Sequence, residues 1–253
     1  MNELSGQVAL VTGASSGLGA HFSRVLAKEG AAVGLAARRL ERVEALAGEI
    51  REAGGQAIGL ALDVAQPGTF AAAFERVESE LGPINILVNN AGVSGEGHSL
   101  HLSVETWDQT FDVNVRGTFF AAQEAARRMI ASGVAQREQA RIINIASIAS
   151  HTVLPGVAAY CASKAAVAMM TRGLAKDLAR HGVAVSAICP GYIETDINAD
   201  WFRSEGGRKQ ISRFPRRRLM DASDLDAALL MLAGPSGAKI TGSLLTLDDG
   251  QSM

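Results

Sequence analysis

Residues 8–19 read VALVTGASSGLG, and the fold is most clearly recognisable in this segment. Its apolar first part, residues 8–11, predicts a short buried strand, and a segment of helical periodicity follows the glycine-rich turn. A strand, a glycine turn and a helix in this order are typical of a dinucleotide-binding βαβ unit, in which backbone N–H groups and the helix dipole attract a pyrophosphate. Gly13 permits the tight turn, Gly17 permits close approach of the phosphates, and Gly19 lets the helix pack against the sheet. An ordinary strand-to-helix turn is the alternative interpretation.

Apolar, strand-like runs alternate with helical stretches along the whole chain. We predict strands at residues 8–11, 32–36, 57–62, 84–88, 141–146, 183–189 and 243–247, and helices at residues 22–28, 39–53, 70–81, 107–131 and 157–180. The alternation predicts an α/β fold with a Rossmann-type, doubly wound parallel sheet and helices on both faces. No linker or change of composition divides the chain, so we expect residues 1–253 to form a single dinucleotide-binding and catalytic domain. The irregular stretch 193–219 is predicted to be a substrate lid.

Composition excludes several classes of protein. The chain carries 24 Lys and Arg against 26 Asp and Glu, and these mixed charges argue against a nucleic-acid or membrane-surface partner. No apolar run is long enough to cross a bilayer. The two cysteines, Cys161 and Cys189, exclude a disulfide framework, and neither has a neighbouring Cys or His at metal-ligand spacing. We therefore expect a cytoplasmic protein without a metal site, whose partners are small molecules.

Several separated motifs resemble those of the short-chain dehydrogenases/reductases. The glycine turn has that family's Thr-Gly start and wide spacing, Asn89-Asn90-Ala91-Gly92 matches its Asn-Asn-Ala-Gly segment, and Tyr-Cys-Ala-Ser-Lys holds Tyr160 and Lys164. Pro190-Gly191 matches the turn that the family places beside the nicotinamide. The resemblance spans almost the whole chain. It implies a nicotinamide cofactor and hydride transfer to or from a carbonyl or a secondary alcohol.

The resemblance also indicates which residues bind the cofactor. They lie in the glycine turn, at the ends of the second to fourth strands, on the catalytic helix and after the sixth strand: Gly13, Ser15, Ser16, Gly17, Leu18, Gly19, Arg38, Arg39, Asp63, Val64, Asn90, Ala91, Gly92, Tyr160, Lys164, Pro190, Gly191, Ile193 and Thr195. Asp63 resembles the residue that bonds the adenine amino group, and a helix N-cap is its competing explanation. Thr195 resembles the residue that binds the nicotinamide carboxamide.

The end of the second strand distinguishes between the two nicotinamide dinucleotides. A carboxylate there would bind the ribose 2′-hydroxyl of NAD and repel the 2′-phosphate of NADP, and this chain has Ala37 instead. Arg38 and Arg39 follow, and their guanidinium groups can clamp a phosphate through charge-assisted hydrogen bonds. Arg38 resembles the family's phosphate-binding arginine. We therefore predict NADP(H). NAD(H) stays open, since both arginines could be solvated residues of the next helix.

Asn114, Ser147, Tyr160 and Lys164 are the predicted catalytic residues. Tyr160 and Lys164 are four positions apart and therefore share one face of a helix, while Ser147 closes the preceding strand. Besides a hydride, carbonyl reduction needs a proton donor and a group that stabilises the developing oxyanion. A cation about 4 Å from a tyrosine lowers the tyrosine pKa from about 10.

We accordingly expect Tyr160 to transfer the proton and Ser147 to polarise the substrate oxygen. Lys164 is expected to lower the Tyr160 pKa and to hold the nicotinamide ribose. The resemblance implies that Asn114 holds a water connected to Lys164. Taken separately, the tyrosine and lysine could form a surface i,i+4 contact, and the serine could be a helix cap.

The residues indicate the reaction better than they indicate the substrate. The leading hypothesis is a ketone or 3-oxoacyl reductase that acts on an apolar substrate. The alternative is an NAD(P)-dependent alcohol, polyol or steroid dehydrogenase, and a dinucleotide-binding sensor without turnover is the alternative from another class. His151, Val153, Leu154, Trp201 and Phe202 are predicted to line an apolar pocket, unless they serve core packing or a subunit interface.

Three further features bear on assembly and specificity. The lid carries a basic set that could attract an acidic carrier or a coenzyme A thioester, although a solvated face explains it as well: Arg203, Arg208, Lys209, Arg213 and residues 216–218. The helices predicted at 107–131 and 157–180 are too apolar for full exposure, so we expect a homotetramer or a homodimer. Asp249 stands where the family more usually has glycine, which predicts an altered turn after the final strand.

Overall fold

The computed structural model describes residues 3–195 and 198–253. Its sheet has seven parallel strands, which are β1 (Val8–Thr12), β2 (Ala32–Ala37), β3 (Ala57–Ala61), β4 (Ile86–Asn89), β5 (Ala140–Ile145), β6 (Val183–Pro190) and β7 (Leu244–Leu247). Their order is β3-β2-β1-β4-β5-β6-β7, so the direction of winding reverses between β1 and β4. Such a reversal leaves a crevice at the carboxyl ends of the two strands, where doubly wound folds bind ligands. The predicted α/β architecture is confirmed.

The helices cover both faces of the sheet. They are α1 (Gly17–Lys28), α2 (Leu40–Glu52), α3 (Phe70–Leu81), α4 (Val104–Phe111), α5 (Thr118–Ala131), α6 (Ala158–Leu178), α7 (Ala199–Arg203), α8 (Glu205–Ile211) and α9 (Asp226–Ala233). Alternate side chains of β1 point to opposite faces: Ala9 and Val11 pack with α1, α2 and α9, whereas Val8 and Leu10 pack with α3, α5 and α6. Burial on both faces explains why the strands read as continuous apolar runs.

The structure differs from the sequence prediction in three places. The stretch predicted as irregular between residues 193 and 219 contains α7 and α8, and α9 was not predicted at all. Helix α8 is capped by Ser204, whose Oγ accepts a hydrogen bond from the Gly207 amide at 3.1 Å. Helices of five and seven residues are too short to reveal a 3.6-residue period, and α9 is apolar on nearly every side.

The third difference lies within the helix predicted at residues 107–131. It begins earlier, at Val104, and Ser103 caps it by accepting a hydrogen bond from the Thr106 amide at 3.1 Å. A π-helical turn, Asp112–Gly117, then joins α4 to α5. Turns of this kind are frequent at functional sites, and hydrophobic periodicity does not reveal them. Within the described ranges, none of the helices has the length and apolarity needed to span a bilayer.

Candidate active site

The glycine turn is built against the end of β4. Gly13 has a left-handed φ of 67°, and a Cβ atom there would lie 2.8 Å from the Ala91 Cα. A Cβ atom on Gly19 would lie 2.4 Å from the Gly13 carbonyl oxygen, so both positions require glycine. The Asn90 side-chain amide donates to the carbonyl oxygens of Thr12 (3.1 Å) and Gly13 (3.3 Å). Asn90 therefore holds the shape of the turn from the neighbouring strand.

Thr12, the first residue of the Thr-Gly motif, ties β1 to β4. Its Oγ1 accepts hydrogen bonds from the backbone amides of Asn90 at 3.1 Å and Ala91 at 3.2 Å. The carboxyl ends of both strands are thereby fixed at the point where the winding of the sheet reverses. The amino end of α1 begins at the same edge, at Gly17. Backbone N–H donors at a helix start suit the phosphates of a dinucleotide.

Arg39 connects the end of β2 to the glycine turn. Its guanidinium group donates to the Ser15 hydroxyl at 2.8 Å and to the Ser16 hydroxyl at 2.9 Å. Arg38 and Arg39 are both exposed, and Ala37 before them is buried. A cation thus stands beside the crevice where a ribose 2′-phosphate would be neutralised. The structure brings Arg39 into contact with the turn, although the sequence resemblance favoured Arg38.

Asp63 serves a local turn at the end of β3. Its carboxylate accepts hydrogen bonds from the Ala65 amide (3.0 Å) and from the Gln66 side chain (3.5 Å). Asp63 is not the helix N-cap that was the competing explanation, because the next helical turn, Pro67–Thr69, begins after Gln66. Each carboxylate oxygen has a second lone pair, so the turn does not prevent a bond to an adenine amino group. Val64 is buried against Gly117, where a Cβ atom would lie 2.6 Å from the Val64 carbonyl oxygen.

Lys164 is the most deeply buried charged group of the predicted set. Its side chain is only 5% exposed, and its ammonium group donates to the Ile145 carbonyl oxygen at 2.7 Å. The Nζ atom lies 5.6 Å from the centroid of the Tyr160 ring. A Cβ atom on Gly92 would lie 3.7 Å from the same Nζ, so the loop after β4 covers the lysine closely. The two residues do lie together, as their four-residue spacing predicts.

Asn114 lies on the π-helical turn and faces the loop after β4. Its Oδ1 accepts a hydrogen bond from the Val93 amide at 2.9 Å, and its Nδ2 donates to the Val93 carbonyl oxygen at 3.0 Å. The same Nδ2 donates to the Ser163 hydroxyl at 2.9 Å, which in turn donates to the Tyr160 carbonyl oxygen at 2.7 Å. Ser163 is therefore a functional neighbour that motif reasoning missed, although it lies within the Tyr-Cys-Ala-Ser-Lys segment.

Ser147 caps a short helical turn and also faces Tyr160. Its Oγ accepts a hydrogen bond from the Ala149 amide at 3.1 Å, at the start of the 3-10 turn Ile148–Ser150. Burial raises the pKa of Tyr160, and hydrogen bonding with Ser147 opposes that rise. The capping and the functional interpretations are thus compatible. The cap uses only a lone pair of the hydroxyl, so its proton remains available to a substrate oxygen.

The pKa values of Lys164 and Tyr160 differ from the sequence prediction. Burial lowers the pKa of Lys164 to about 8, and it raises the pKa of Tyr160 instead of lowering it. The expected lowering of the tyrosine pKa by the lysine is therefore wrong for the structure as it stands. The physical reason is that both side chains are buried and lose hydration, which disfavours the charged form of each.

The segment after β6 forms the opposite wall of the crevice. The Gly191 amide donates to the Leu247 carbonyl oxygen at 2.8 Å, and a Cβ atom on Gly191 would lie 2.7 Å from the Asp248 Cα. Ile193 is buried and forms an isolated parallel bridge to Met220. A Cβ atom on Gly17 would lie 3.8 Å from the Thr195 side chain, so Thr195 approaches the glycine turn.

An aromatic cluster joins this wall to residues 198–219, the described part of the stretch predicted to be a lid beyond Thr195. The Tyr192 ring stacks on Phe214, with centroids 5.1 Å apart, and meets the edge of Phe202 at 5.8 Å. Phe202 is buried, whereas Trp201 is 53% exposed and its indole N–H donates to Gln210 Oε1 at 2.8 Å. The two residues predicted to line one pocket therefore have different surroundings. Tyr192 and Phe214 were missed, although Tyr192 directly follows the Pro-Gly motif.

The basic lid residues are partly neutralised by the chain itself. Arg203 pairs with Glu194 at 2.8 Å, and Arg216 and Arg218 both pair with Asp249. Val153 is 85% exposed and His151 is also exposed, so these two predicted pocket residues lie at the rim. Among the described residues, no group of three or more His, Cys, Asp or Glu side chains is arranged to hold a metal ion.

Fold and site together define a class of protein. A parallel sheet with a glycine turn at its point of reversal, and with Ser147, Tyr160 and Lys164 beside it, is the arrangement of a dinucleotide-dependent oxidoreductase.

Comparison with known proteins identifies the family. A family model described as short chain dehydrogenase matches residues 7–206. Gluconate 5-dehydrogenase of Gluconobacter oxydans is 33% identical over 98% of this chain and 95% of its own length. The 3-oxoacyl-[acyl-carrier-protein] reductase FabG of Vibrio cholerae is 33% identical over 99% of each chain. A solved gluconate 5-dehydrogenase from Burkholderia cenocepacia, in complex with NADP and tartrate, is 34% identical with a TM-score of 0.92, covering 99% of this chain and 96% of its own. The chain belongs to the short chain dehydrogenase family and is an oxidoreductase that acts on CH–OH or C=O groups.

Proposed function

We propose that this chain is an NADP(H)-dependent enzyme that interconverts a ketone and a secondary alcohol, with Tyr160 as the proton-transferring group. One observation carries the proposal. Tyr160 shares a buried site with the Ser147 hydroxyl and the Lys164 ammonium group, at the crevice whose far end carries exposed arginines. A bound nicotinamide supplies the hydride, and the chain supplies the remaining groups that the reaction needs.

Each catalytic side chain has a distinct task in this proposal. During reduction the Tyr160 hydroxyl gives its proton to the substrate oxygen, and during oxidation it takes that proton back. Ser147 donates a hydrogen bond to the same oxygen and stabilises its developing negative charge. Lys164 holds the nicotinamide ribose and supplies a positive charge beside the tyrosine. Asn114 is proposed to hold a water next to Lys164, a role that rests on the family resemblance.

The preference for NADP(H) rests on charge at the end of β2. Ala37 offers no carboxylate to repel a 2′-phosphate, and Arg38 and Arg39 stand at the adjacent corner. Solved relatives from Burkholderia cenocepacia contain NADP, at 34% and 36% identity to this chain. NAD(H) is the alternative, and it requires the two arginines to serve only the surface and the glycine turn.

A ketone or 3-oxoacyl substrate is the leading proposal for specificity, and the FabG relative from Vibrio cholerae supports it by its name. A polyol or sugar acid is the second candidate, because the polar groups of Tyr192 and Gln210 are neighbours and Tyr192 lies near Tyr160. Burial raises the pKa of Tyr192, and hydrogen bonding with Gln210 opposes that rise. Tyr192 is also close enough to Tyr160 to contribute to the raised pKa of Tyr160. Relatives named gluconate 5-dehydrogenase and D-threitol dehydrogenase agree with this alternative.

We also propose that residues 193–219 form a substrate lid and that the chain assembles into a homodimer or homotetramer. The lid proposal rests on α7, α8 and the aromatic contacts of Tyr192. Assembly is supported by exposed apolar side chains on α4, α5 and α6: Val104 is 69% exposed, Trp107 43%, Phe120 38% and Met169 64%. A cytoplasmic location stays a prediction.

Titration and turnover test this function directly. The purified protein is titrated with NADPH and with NADH while the fluorescence of the reduced nicotinamide is recorded. The tighter cofactor is then used with simple ketones, a 3-oxoacyl thioester and keto acids of sugars. Tighter binding of NADPH together with turnover supports the proposal. Preference for NADH overturns the cofactor assignment, and binding without turnover of any substrate supports a dinucleotide-binding sensor.

A further inference from the structure

The turn after β7 is tied to the far end of the lid by a single carboxylate. Asp249 Oδ1 lies 3.1 Å from the Arg216 Nε, and Asp249 Oδ2 lies 2.8 Å from the Arg218 Nε. The Asp249 side chain is 15% exposed, whereas the side chains of Arg216 and Arg218 are 66% and 62% exposed. One sheltered carboxylate thus engages two arginines that lie mostly in solvent.

The backbone conformation at Asp249 is one that favours glycine over aspartate. Asp249 has a left-handed φ of 51°, a conformation that glycine adopts without steric cost and that aspartate tolerates only moderately. The turn therefore keeps the shape that suits glycine, although a side chain is present. The shape of the backbone does not explain why a carboxylate stands at this position. Its two ion pairs with Arg216 and Arg218 do explain it.

A second residue of the same turn reaches the beginning of the lid. Gln251 Oε1 accepts a hydrogen bond from the Tyr192 amide at 2.6 Å, and Gln251 Nε2 donates to the Arg218 carbonyl oxygen at 3.2 Å. Tyr192 immediately precedes the lid, and Arg218 lies near its end. The turn at residues 248–251 therefore contacts the residue just before the proposed lid and a residue near the end of it. In addition, the Tyr192 ring packs on Phe214 within the lid.

We propose that Asp249 is a positioning residue that sets the affinity for the substrate by holding the lid over the crevice. This inference rests on the proposed function, because it needs a substrate and a lid. Among the residues that the structure describes, the Asp249 carboxylate pairs with the two arginines and not with Ser147, Tyr160 or Lys164, so its effect falls on KM rather than on kcat. The arginine partners are exposed, so dissolved salt weakens the anchor.

The test compares Asp249→Asn with a matched control, Glu138→Gln. Glu138 is also an acidic residue with a left-handed φ, of 56°, and it pairs with Lys239. It lies just before β5, at the amino ends of the strands, whereas the crevice lies at their carboxyl ends. Both variants change a carboxylate to an amide, and only one of them affects the lid.

We expect Asp249→Asn to raise the substrate KM by about three- to tenfold, the effect of losing two exposed ion pairs, and to change kcat less than about twofold. Added salt should raise the KM of the wild type toward that of the variant and leave the variant unchanged. Glu138→Gln should keep the wild-type KM and its salt dependence. The double variant Arg216→Gln/Arg218→Gln should reproduce Asp249→Asn, and it serves if the latter folds poorly. A wild-type KM and salt dependence in these lid variants would overturn the proposal.

Failure of the proposed function itself is recognised separately, as absence of turnover by the wild type. The anchor is then tested by limited trypsin digestion, since the lid is rich in arginine and lysine. Faster cleavage within residues 203–218 of Asp249→Asn than of Glu138→Gln supports the anchor. Equal rates of cleavage overturn it.

Discussion

The two walls of the crevice are held together by different kinds of contact. On the catalytic wall, Lys164, Asn114 and Ser163 are 5%, 1% and 0% exposed and bond to backbone carbonyls or to each other. On the wall with the proposed lid, the ion pairs with Asp249 involve the largely exposed side chains of Arg216 and Arg218. Buried hydrogen bonds are costly to break and insensitive to salt, whereas exposed ion pairs are weak and screened. The proposed proton-transfer site is therefore held by contacts that salt does not weaken, whereas the proposed lid is held by contacts that salt does weaken.

This difference predicts that changes on the two walls separate kinetically. A change on the catalytic wall should act on kcat and be independent of salt. A change on the lid wall should act on KM and depend on salt.

Removal of the phenolic hydroxyl should give the largest effect. Tyr160→Phe loses the proton donor, and we expect kcat to fall by about 10²- to 10⁴-fold, the usual contribution of general acid-base catalysis. Cofactor affinity should stay within about twofold, because the ring and Lys164 are retained. Steady-state kinetics and a fluorescence titration on the same preparation measure both quantities. Turnover at the wild-type rate would show that another group transfers the proton.

Arg38 and Arg39 should determine the choice of cofactor. In the double variant Arg38→Ala/Arg39→Ala, the NADPH dissociation constant should rise by about 10- to 100-fold, since charge-assisted hydrogen bonds to the 2′-phosphate are lost. The NADH constant should change little by comparison. Arg42→Gln, an exposed arginine one turn further along α2, is the matched control and should retain wild-type binding. An equal loss for both cofactors would mean that the pair supports the glycine turn rather than the phosphate.

Lys164 should make stability depend on pH in the alkaline range. Burial lowers its pKa from 10.5 to about 8, so the unfolded chain binds more protons than the folded one between those values. Stability from this group therefore rises with pH in that window, because the buried ammonium becomes neutral. Relative to Lys164→Met, the wild type should gain about 2 kcal/mol of unfolding free energy between pH 7 and pH 10. Urea unfolding at both pH values measures this gain, and a constant difference would show that Lys164 keeps its proton.

The smallest effect is expected in the aromatic cluster of the lid. Phe214→Leu keeps an apolar side chain but loses the stacking on Tyr192, so the substrate KM should rise by about two- to tenfold at constant kcat. Phe119→Leu, which removes an edge contact with Phe120 on α5, provides a comparison away from the lid. A large fall in kcat for Phe214→Leu would contradict the expectation that the lid acts only on KM, since the lid would then contribute to proton transfer.

The sequence was sufficient for the sheet and for most of the site because both depend on local patterns. Strands buried on both faces appear as apolar runs, and the glycine turn at Gly13 and the pair Tyr160 and Lys164 have fixed spacings. What could not be predicted depends on contacts between distant residues or on short elements. The π-helical turn that orients Asn114 and the helices α7 to α9 have no distinctive period.

Electrostatic details were the least predictable part of the site. The distance between two side chains on a helix can be anticipated, but the hydration that each one loses depends on how the rest of the chain covers it. Lys164 is covered by the loop at Gly92 and bonded to Ile145, neither of which its spacing from Tyr160 reveals. Likewise, the sequence shows that Asp249 replaces the family's usual glycine, but only the folded chain brings its carboxylate to Arg218.

The central position of β1 has a consequence for how the chain is made. Val8–Thr12 precedes the other six strands of this sheet in the sequence, yet it lies between β2 and β4, and its partner Ile86–Asn89 emerges more than 70 residues later. Until then β1, β2 and β3 can assemble only as a partial sheet whose β1 edge has free N–H and C=O groups. Unpaired apolar edges are templates for wrong pairing between chains. The interval before β4 emerges is therefore the period in which a nascent chain is most exposed to aggregation, and slower translation of residues 32–86 should lengthen it.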